Sequence, residues 1–397
     1  MYIFNYKYLV LAQGFREVPL VFPGNGTPRM ITGLTMLKLI KWWGGFKPRR
    51  VLVWGGSDDW GGVRVAMNLA QLGVDTYLGD NSVVVRSDLY RDKIDALGIK
   101  TFIGMNIVDA EDSSDGLKLT LENIRGGRKA KAQRREEVVV DVLVSAVRLP
   151  VIDLPAQLGV PIVYAPEVGG LVPRRGGFMG GDLGLGNVYV VGDAGGLLPE
   201  TLIVKQARIT ALNIGVKEGL VAGDVLDKEL AEFKRDLVTV NSSYYNVILR
   251  FEQGGLQGSG YYAEPNVAHA PMWAAAGSIE DVENALRSAN RQYLCFCEDI
   301  TLGDVLGAVR VLMHGREIRV RVLHGEEEEY KSLRLPSMER IKRVVGLGTG
   351  PCQGKFCLIS TNLILSFIYQ KKPNEFGLPR IRFPEASIPM ATLAGGE

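Results

Sequence analysis

Four cysteines in the last third of the chain have the types and spacing of a metal-binding set, and the chain has no others. They form a C-x-C pair, Cys295 and Cys297, and a C-x4-C pair, Cys352 and Cys357. Four thiolates suit either zinc or an iron–sulfur cluster, because both accept soft sulfur ligands in roughly tetrahedral geometry. The two pairs therefore predict one four-thiolate site.

The residues around these cysteines favour a cluster over zinc. Cys352 lies among Gly346, Gly348, Gly350 and Gly354, which let the backbone approach the metal and direct amide hydrogens at sulfur. Structural zinc sites more often have two-residue spacers within each pair. A [2Fe–2S] cluster is the preferred prediction. Zinc remains an alternative, as does a set of disulfides or buried thiols, although disulfides need an oxidising compartment or a hyperthermophile's cytosol.

The cysteine block also resembles a known kind of domain. With CEDIT after the first pair and GPCQGKFC around the second, it is similar to the [2Fe–2S] domain of the bacterioferritin-associated ferredoxin (BFD) type. More narrowly, it resembles the version in the larger subunits of opine oxidase, hydrogen cyanide synthase and dye-linked L-proline dehydrogenase. The tail RFPEASIPMATLAGG resembles that group's ending. The resemblance implies that all four cysteines bind the cluster.

The N-terminal stretch YKYLVLAQG predicts a strand, Tyr8 to Leu11, and a turn that contains Gly14. It resembles the LATG strand of glutathione-reductase-like flavoproteins with two dinucleotide-binding domains, with Gln13 in place of Thr. There, this strand follows a first βαβ unit with the FAD pyrophosphate loop, which is absent here. The resemblance implies an N-terminally truncated flavoprotein core. We expect another subunit to supply the missing half; a lost FAD site or a mis-assigned start codon are alternatives.

A βαβ pattern over residues 49–80 predicts a parallel sheet of Rossmann type. Its turn contains Gly55 and Gly56, but Ser57 and Trp60 occupy the second and third glycine positions of the usual fingerprint. The glycine pattern is therefore degenerate. Gly55, Gly56 and Ser57 are candidate nucleotide-binding residues.

Three acidic residues near this turn give conflicting evidence on whether a nucleotide binds there. Asp80 lies where an acid would accept a hydrogen bond from a ribose hydroxyl, or it is a plain acid at a strand end. Asp58 and Asp59, at the turn, would repel a pyrophosphate. Two hypotheses therefore stay open. The domain binds NAD or another adenine nucleotide, or it is a vestigial domain that is kept for its structural role.

A second flavin signature is predicted in GNVYVVGDAGGLL. A strand, Val188 to Val191, leads to Gly192 and Asp193, and a helix follows from Thr201 to Gly219. An acid at such a turn suits a hydrogen bond to a polyol. The stretch resembles the flavoprotein signature in which Asp meets the ribityl chain of FAD, while a structural turn is the alternative.

Three further segments carry structural predictions. The β-branched run from Val138 to Val147 predicts one long strand after a hairpin or meander. The insertion EIRVRVLHGEEEEY predicts a hairpin. The segment from Gly254 to Pro271 reads as a linker, a surface loop or a docking loop. Tyr261, Tyr262 and Trp273 would then be candidate interface anchors.

Bulk composition narrows the class of protein. The 397 residues are 46% hydrophobic and 23% charged with a net charge of +2, which gives no reason to expect nucleic acid as a partner. No segment has the 18 or more apolar residues of a membrane helix. The N-terminus lacks a secretory pattern, so we expect a cytoplasmic protein, with peripheral membrane association left open.

The chain is thus predicted to be α/β, with several segments. These are a remnant FAD-binding segment (1–48), a Rossmann-type NAD-like domain (49–147), a return to the FAD-binding domain (148–225), a helical linker or docking region (226–290), a BFD-like [2Fe–2S] domain (291–370) and a tail (371–397).

The preferred function is the electron-transfer subunit of a heteromeric flavin-dependent dehydrogenase for an amine or amino acid such as L-proline, hydroxyproline, sarcosine, an opine or a D-amino acid. Expected partners are an FAD-containing, substrate-oxidising subunit and a small subunit that completes the FAD site. The alternatives are an NAD(P)H-dependent flavin and iron–sulfur reductase and a non-catalytic scaffold. Neither the substrate nor the acceptor follows from these residues.

Overall fold

A computed structural model of the chain describes residues 5–56, 61–81, 90–124, 134–175, 181–240, 270–313 and 335–378. The chain divides into two compact units. Unit 1 comprises residues 1–15, 150–261 and 379–397, and unit 2 comprises residues 16–149 and 262–378. Since the predicted domains are finer than these units, their boundaries stay predictions.

The strands of the described residues are β1 (Leu9–Leu11), β2 (Phe15–Glu17), β3 (Met30–Thr32), β4 (Arg50–Trp54), β5 (Asp75–Asp80), β6 (Lys100–Ile103), β7 (Met105–Ser113), β8 (Gly116–Asn123), β9 (Arg135–Val140), β10 (Val142–Ser145), β11 (Arg148–Pro150), β12 (Ile162–Ala165), β13 (Gly170–Pro173), β14 (Val188–Val190), β15 (Tyr293–Cys295) and β16 (Ile300–Thr301). The helices are α1 (Gly33–Lys38), which continues as a π-helical turn (Leu39–Trp43), α2 (Gly61–Gln71), α3 (Arg91–Ala96), α4 (Asp153–Gln157), α5 (Glu200–Lys217), α6 (Gly223–Val240), α7 (Ile279–Arg287), α8 (Leu302–Leu312), α9 (Met338–Val345) and α10 (Cys357–Tyr369).

Unit 2 contains a five-stranded parallel sheet in the order β3-β10-β4-β5-β6. Its central strand β4 is a continuous apolar run, as expected for a strand of a parallel sheet that is covered on both faces. Helix α2 buries Val63, Ala66 and Leu69, which recur every three residues on one helical face. The βαβ prediction for residues 49–80 agrees with this arrangement.

The predicted single strand from Val138 to Val147 is wrong, because Asp141 divides it. Strand β9 pairs with β8 in the antiparallel meander β7-β8-β9, whereas β10 belongs to the parallel sheet. The Asp141 carboxylate accepts backbone N–H groups from Arg49 at 2.7 Å and Arg50 at 3.2 Å. A charged acceptor therefore holds the start of β4 at the point where the chain changes sheets.

Unit 1 is built on the parallel pair β1–β14, in which Leu11 lies opposite Val190. Helices α5 and α6 pack on each other through a buried cluster that includes Leu202, Phe233 and Leu237. Strands β12 and β13 form an antiparallel pair that also contributes to this cluster. The predicted strands and the helix near residues 201–219 lie within one residue or two of these elements.

The C-terminal part of unit 2 is tied to the loop before β3 by Asn25. The fully buried Asn25 side chain accepts the N–H of Tyr293 at 2.7 Å and donates to its carbonyl at 2.9 Å. Strand β15 is therefore fixed by both backbone groups of its first residue. Helix α8 begins with a capping box formed by Thr301 and Asp304, and helix α10 is almost wholly buried.

Trp273 is a core residue of unit 2, so its prediction as an interface anchor is wrong. Its ring is fully buried, its indole N–H donates to Gln292 at 2.7 Å, and it lies edge-on to the ring of Phe367. Large aromatic side chains with a satisfied polar atom are typical of cores. Tyr261, Tyr262 and the predicted hairpin EIRVRVLHGEEEEY lie outside the described residues.

Within the described part of the chain, no helix combines the length and apolar character that crossing a bilayer requires.

Candidate functional site

All four cysteines lie in unit 2. One ends a strand, one begins a helix, and the other two lie in turns. Cys295 is the buried last residue of β15, and Cys297 follows it in an exposed turn. Cys352 is half-buried in the loop before α10, and Cys357 is the buried first residue of that helix. The N-terminus of a helix stabilises a thiolate, because its backbone N–H groups and dipole favour negative charge.

The thiols meet as two pairs, each with one member from either sequence motif. The sulfurs of Cys297 and Cys352 are 3.9 Å apart. Burial raises the pKa of Cys357, and the charge and hydrogen bond of the neighbouring Cys295 raise it further. Burial also raises the pKa of Cys297. Both shifts keep Cys297 and Cys357 protonated near neutral pH, so a metal ion that bound them would have to displace their protons.

The spacing of Cys297 and Cys352 can be compared with that of two ligands on one metal ion. Among the residues described, no three His, Cys, Asp or Glu side chains are grouped closely enough to hold a single ion. Two thiolates that share one tetrahedral metal at 2.3 Å lie about 3.8 Å apart, close to the Cys297–Cys352 distance. A structural zinc needs all four thiolates on one ion, whereas each iron of a [2Fe–2S] cluster takes two cysteines. The distance between Cys297 and Cys352 is therefore that of two thiolates on one metal ion, and a cluster held by all four thiols stays a prediction.

Gly350 allows the loop of Cys352 to reach Cys297. A Cβ atom on Gly350 would lie 2.4 Å from the Cβ of Cys297 and 2.9 Å from a carboxylate oxygen of Glu298. Only glycine leaves room for the backbone at this point. The close approach expected from the glycine-rich stretch is present.

In unit 1, two predicted flavin residues lie at the same edge of the β1–β14 pair. Gly14 follows β1 and Gly192 follows β14, and both have positive φ, +74° and +66°. The N–H of Val191 donates to the carbonyl of Leu11 at 2.9 Å, which keeps the two strand ends together. Ligands of open α/β sheets bind beyond the carboxyl ends of the strands, so this edge is a candidate site.

Asp193 and Gln206 form the buried side of this edge. A carboxylate oxygen of Asp193 accepts the N–H of Leu198 at 3.0 Å. The side-chain oxygen of the fully buried Gln206 accepts the N–H of Gly192 at 2.9 Å, while its Nε2 has no hydrogen-bond partner among the described residues. A buried donor without an acceptor is costly, and an acceptor atom of a bound ligand would satisfy it.

Arg175 adds a positive charge beside the same turn. It is buried, and its guanidinium lies 2.9 Å from the position that a Cβ of Gly195 would take. A guanidinium here suits a ligand rich in acceptor oxygens. Neither Arg175 nor Gln206 was a candidate from the sequence, because no motif connects them to the turn they contact.

In unit 2, the described residues on either side of the Rossmann-type turn, Gly55, Gly56 and Gly62, lie close together. Gly55 and Gly56 have φ values of +85° and +66°, and a Cβ on Gly62 would lie 1.9 Å from the carbonyl oxygen of Gly55. Gly62 thus allows the close packing of helix and strand that the third glycine of the fingerprint usually provides. Asp80 ends β5, next to β4, and is buried. Ser57 lies outside the described residues.

Comparison with protein families gives one match near the C-terminus. Residues 331–397 match the family described as the sarcosine oxidase A3 domain, a segment that includes Cys352 and Cys357. A comparison with curated proteins gave no match.

Among solved structures, L-proline dehydrogenase from P. horikoshii is similar over 98% of this chain and 58% of its own, with 18% identity and a TM-score of 0.58. The chain has the α/β fold of FAD- and NAD-dependent oxidoreductases. It spans 58% of that P. horikoshii chain. The NAD-dependent persulfide reductase of A. fulgidus (19% identity, 53% of this chain, 40% of that chain, TM-score 0.39) and the thioredoxin reductase of T. acidophilum (14%, 50%, 59%, 0.37) are also similar over part of the chain.

Proposed function

We propose that this chain is the electron-transfer subunit of a flavin-dependent dehydrogenase that oxidises an amino acid or amine. The observation that carries the proposal is the gathering of four thiols into two pairs on a chain with a flavoprotein fold. Two further observations support it. The similar P. horikoshii chain is named an L-proline dehydrogenase, and the C-terminal match is to a sarcosine oxidase domain.

Cys297 with Cys352 would hold one iron of a [2Fe–2S] cluster, and Cys295 with Cys357 the other. When bound, such a cluster supplies the one-electron step that couples a two-electron flavin to a one-electron acceptor. The buried pair excludes water from one side of the site, whereas Cys297 is exposed. A redox partner would therefore come closest to the centre on the Cys297 side.

The edge of unit 1 would contribute one part of an FAD site. Gly14 and Gly192 let the ligand approach the backbone, and Asp193 would accept a hydrogen bond from a ribityl hydroxyl. The Gln206 amide and the Arg175 guanidinium would donate to flavin or phosphate oxygens. We propose that a small partner subunit completes this site, and that an FAD-containing subunit oxidises the substrate within the same hetero-oligomer.

A second candidate is an NAD(P)H-dependent reductase that uses Gly55, Gly56, Ser57 and Asp80 to bind a nucleotide. The close packing at Gly62 favours it, because this geometry is that of a Rossmann turn. Bound nicotinamide nucleotide and diaphorase activity in the isolated chain would establish this function in place of the first.

The deciding experiment purifies the chain alone and together with the products of its neighbouring genes, then measures iron, flavin and the low-temperature EPR spectrum after dithionite reduction. We expect about two irons per chain with a rhombic S = 1/2 signal, and flavin only in the complex. Zinc without iron would overturn the proposal.

The variant Cys352→Ser separates electron transfer from a scaffold role. We expect the complex to assemble but to lose the EPR signal and nearly all turnover with the electron acceptor, because one iron loses a ligand. Substitution of Ser337, which lies next to α9 and away from the thiols in sequence, by Ala is the matched control and should leave both unchanged. Full turnover of Cys352→Ser without iron would show that the centre is only structural.

A further inference from the structure

One exposed face of the helix formed by α1 and its π-helical turn is both apolar and basic. The residues of this tryptophan face recur at helical spacing and at the helix end; they are Leu34, Lys38, Lys41, Trp42 and Trp43. The opposite side of the helix packs on the core of unit 2; its residues are Met36, Leu37 and Ile40. The helix is therefore amphipathic, with a second hydrophobic surface that unit 2 leaves uncovered.

The exposure of the two tryptophans is large. Trp42 is 75% and Trp43 79% exposed, and Leu34 adds a third apolar side chain at 46%. Tryptophan is ordinarily one of the more buried residue types, so two adjacent exposed rings indicate an interaction surface. Gly44, with φ of +66°, ends the helix directly after them.

The charged residues of the segment that carries these rings have one sign. From Gly33 to Pro48 the sequence contains three lysines and no acidic residue. Lys38 lies 5.5 Å from the centre of the Trp42 ring, and Lys41 donates to the neutral side chain of Asn68 at 2.7 Å. Neither contact neutralises a charge. The buried Glu17 carboxylate accepts the N–H of Leu34 and interacts with Lys38, so the three lysines leave a net positive charge at this helix.

We propose that the tryptophan face docks the protein peripherally on an anionic lipid bilayer. Tryptophan rings favour the headgroup region, and lysines beside them are attracted to anionic lipids. Protein interfaces are also enriched in tryptophan, but they are depleted in lysine, and all three cations here are lysines, so an anionic bilayer matches the composition of the face better. The proposal does not depend on the cofactors of the chain.

The test is cosedimentation of the full chain with phosphatidylcholine vesicles, with and without phosphatidylglycerol, at low and high salt. We expect binding only to the anionic vesicles, weakened by salt. The double variant Trp42→Ser/Trp43→Ser should lose most of the binding, and each lysine changed to Gln should weaken it roughly fivefold. The controls are Leu220→Ser and Val311→Ser, which remove apolar side chains that are exposed elsewhere.

Each other result decides against the bilayer. Absence of vesicle binding by the unaltered chain would overturn the proposal, and so would equal binding by the double tryptophan variant. Loss of a companion subunit in that variant, without any vesicle binding by the unaltered chain, would instead identify a protein interface. Thermal unfolding of every variant checks the fold, and iron and flavin contents, unchanged throughout, keep this test separate from that of the proposed function.

Discussion

Gly350 is the residue whose replacement tests the cysteine site without touching a ligand. In Gly350→Ala the new Cβ would collide with Cys297, so one thiol must move away from its partner. We expect the variant to lose most of its iron while it remains folded. The measurement is iron per chain together with thermal unfolding.

Gly307→Ala is the matched control for that variant. Gly307 lies inside α8, and a Cβ there would meet nothing within 4 Å. Replacing a helical glycine by alanine should stabilise the protein by about 0.5–1 kcal/mol and leave the iron content unchanged. An unchanged iron content in Gly350→Ala would show that iron binding does not depend on the observed path of the loop that contains Cys352.

At the scale of single residues, functional residues that lie close together in the sequence were easier to predict than residues that meet only in the folded chain. The two cysteine pairs and the glycines near them were visible in the sequence, because each pair lies within a short stretch of the chain. Gln206 and Arg175 were not, since their importance comes from contacts with Gly192 and Gly195, which are distant in sequence.

Among the elements, the β9–β10 break allows a pH prediction. Although burial would raise the pKa of Asp141, hydrogen bonds from the backbone of Arg49 and Arg50 and from the Arg50 side chain lower it. The carboxylate therefore stabilises the fold above about pH 4, the pKa of an unfolded Asp, and this contribution is lost as the pH falls through the lower folded pKa.

Asp141→Asn should destabilise the protein by roughly 1 kcal/mol near neutral pH, with the difference shrinking in acid. Denaturant unfolding of the variant and the unaltered chain, at neutral pH and in acid, measures this difference in stability. Asp95→Asn, an exposed aspartate on α3, is the control that should change little at either pH. A loss of stability for Asp141→Asn that grows in acid would contradict the assigned role of the carboxylate.

The elements themselves were predictable where the hydrophobic pattern was regular. The βαβ unit and the strand before Gly192 follow the sequence pattern. The division of residues 138–147 was missed, because β-branched residues favour a strand in either sheet and only Asp141 signals the change.

For the whole molecule, the division into two compact units, each with buried clusters of its own among the described residues, predicts two unfolding events. Phe233 is fully buried in the core of unit 1, and Leu78 is fully buried in the core of unit 2. Phe233→Ala should destabilise unit 1 by about 3–5 kcal/mol and Leu78→Ala should destabilise unit 2 by about 2–5 kcal/mol. In scanning calorimetry each variant should lower a different transition, and one shared transition that moves in both would contradict independent units.

The division into units was harder to predict than the fold class. The order of βαβ elements indicated a parallel α/β sheet, and the family resemblance implied a flavoprotein core; the structure has the α/β fold of FAD- and NAD-dependent oxidoreductases. The units are discontinuous in sequence, however, so composition and linkers along the chain do not reveal them.

The position of Cys357 links the proposed cluster to the abundance of the protein in the cell. This residue begins α10, the buried helix at the end of the described chain, so cluster insertion would also anchor that helix. A chain made in a cell short of iron would keep this helix in the core but would lack the extra stabilisation that a bound cluster gives, so its unfolded fraction and its degradation would increase. Enzyme abundance would then follow iron supply without any change in transcription.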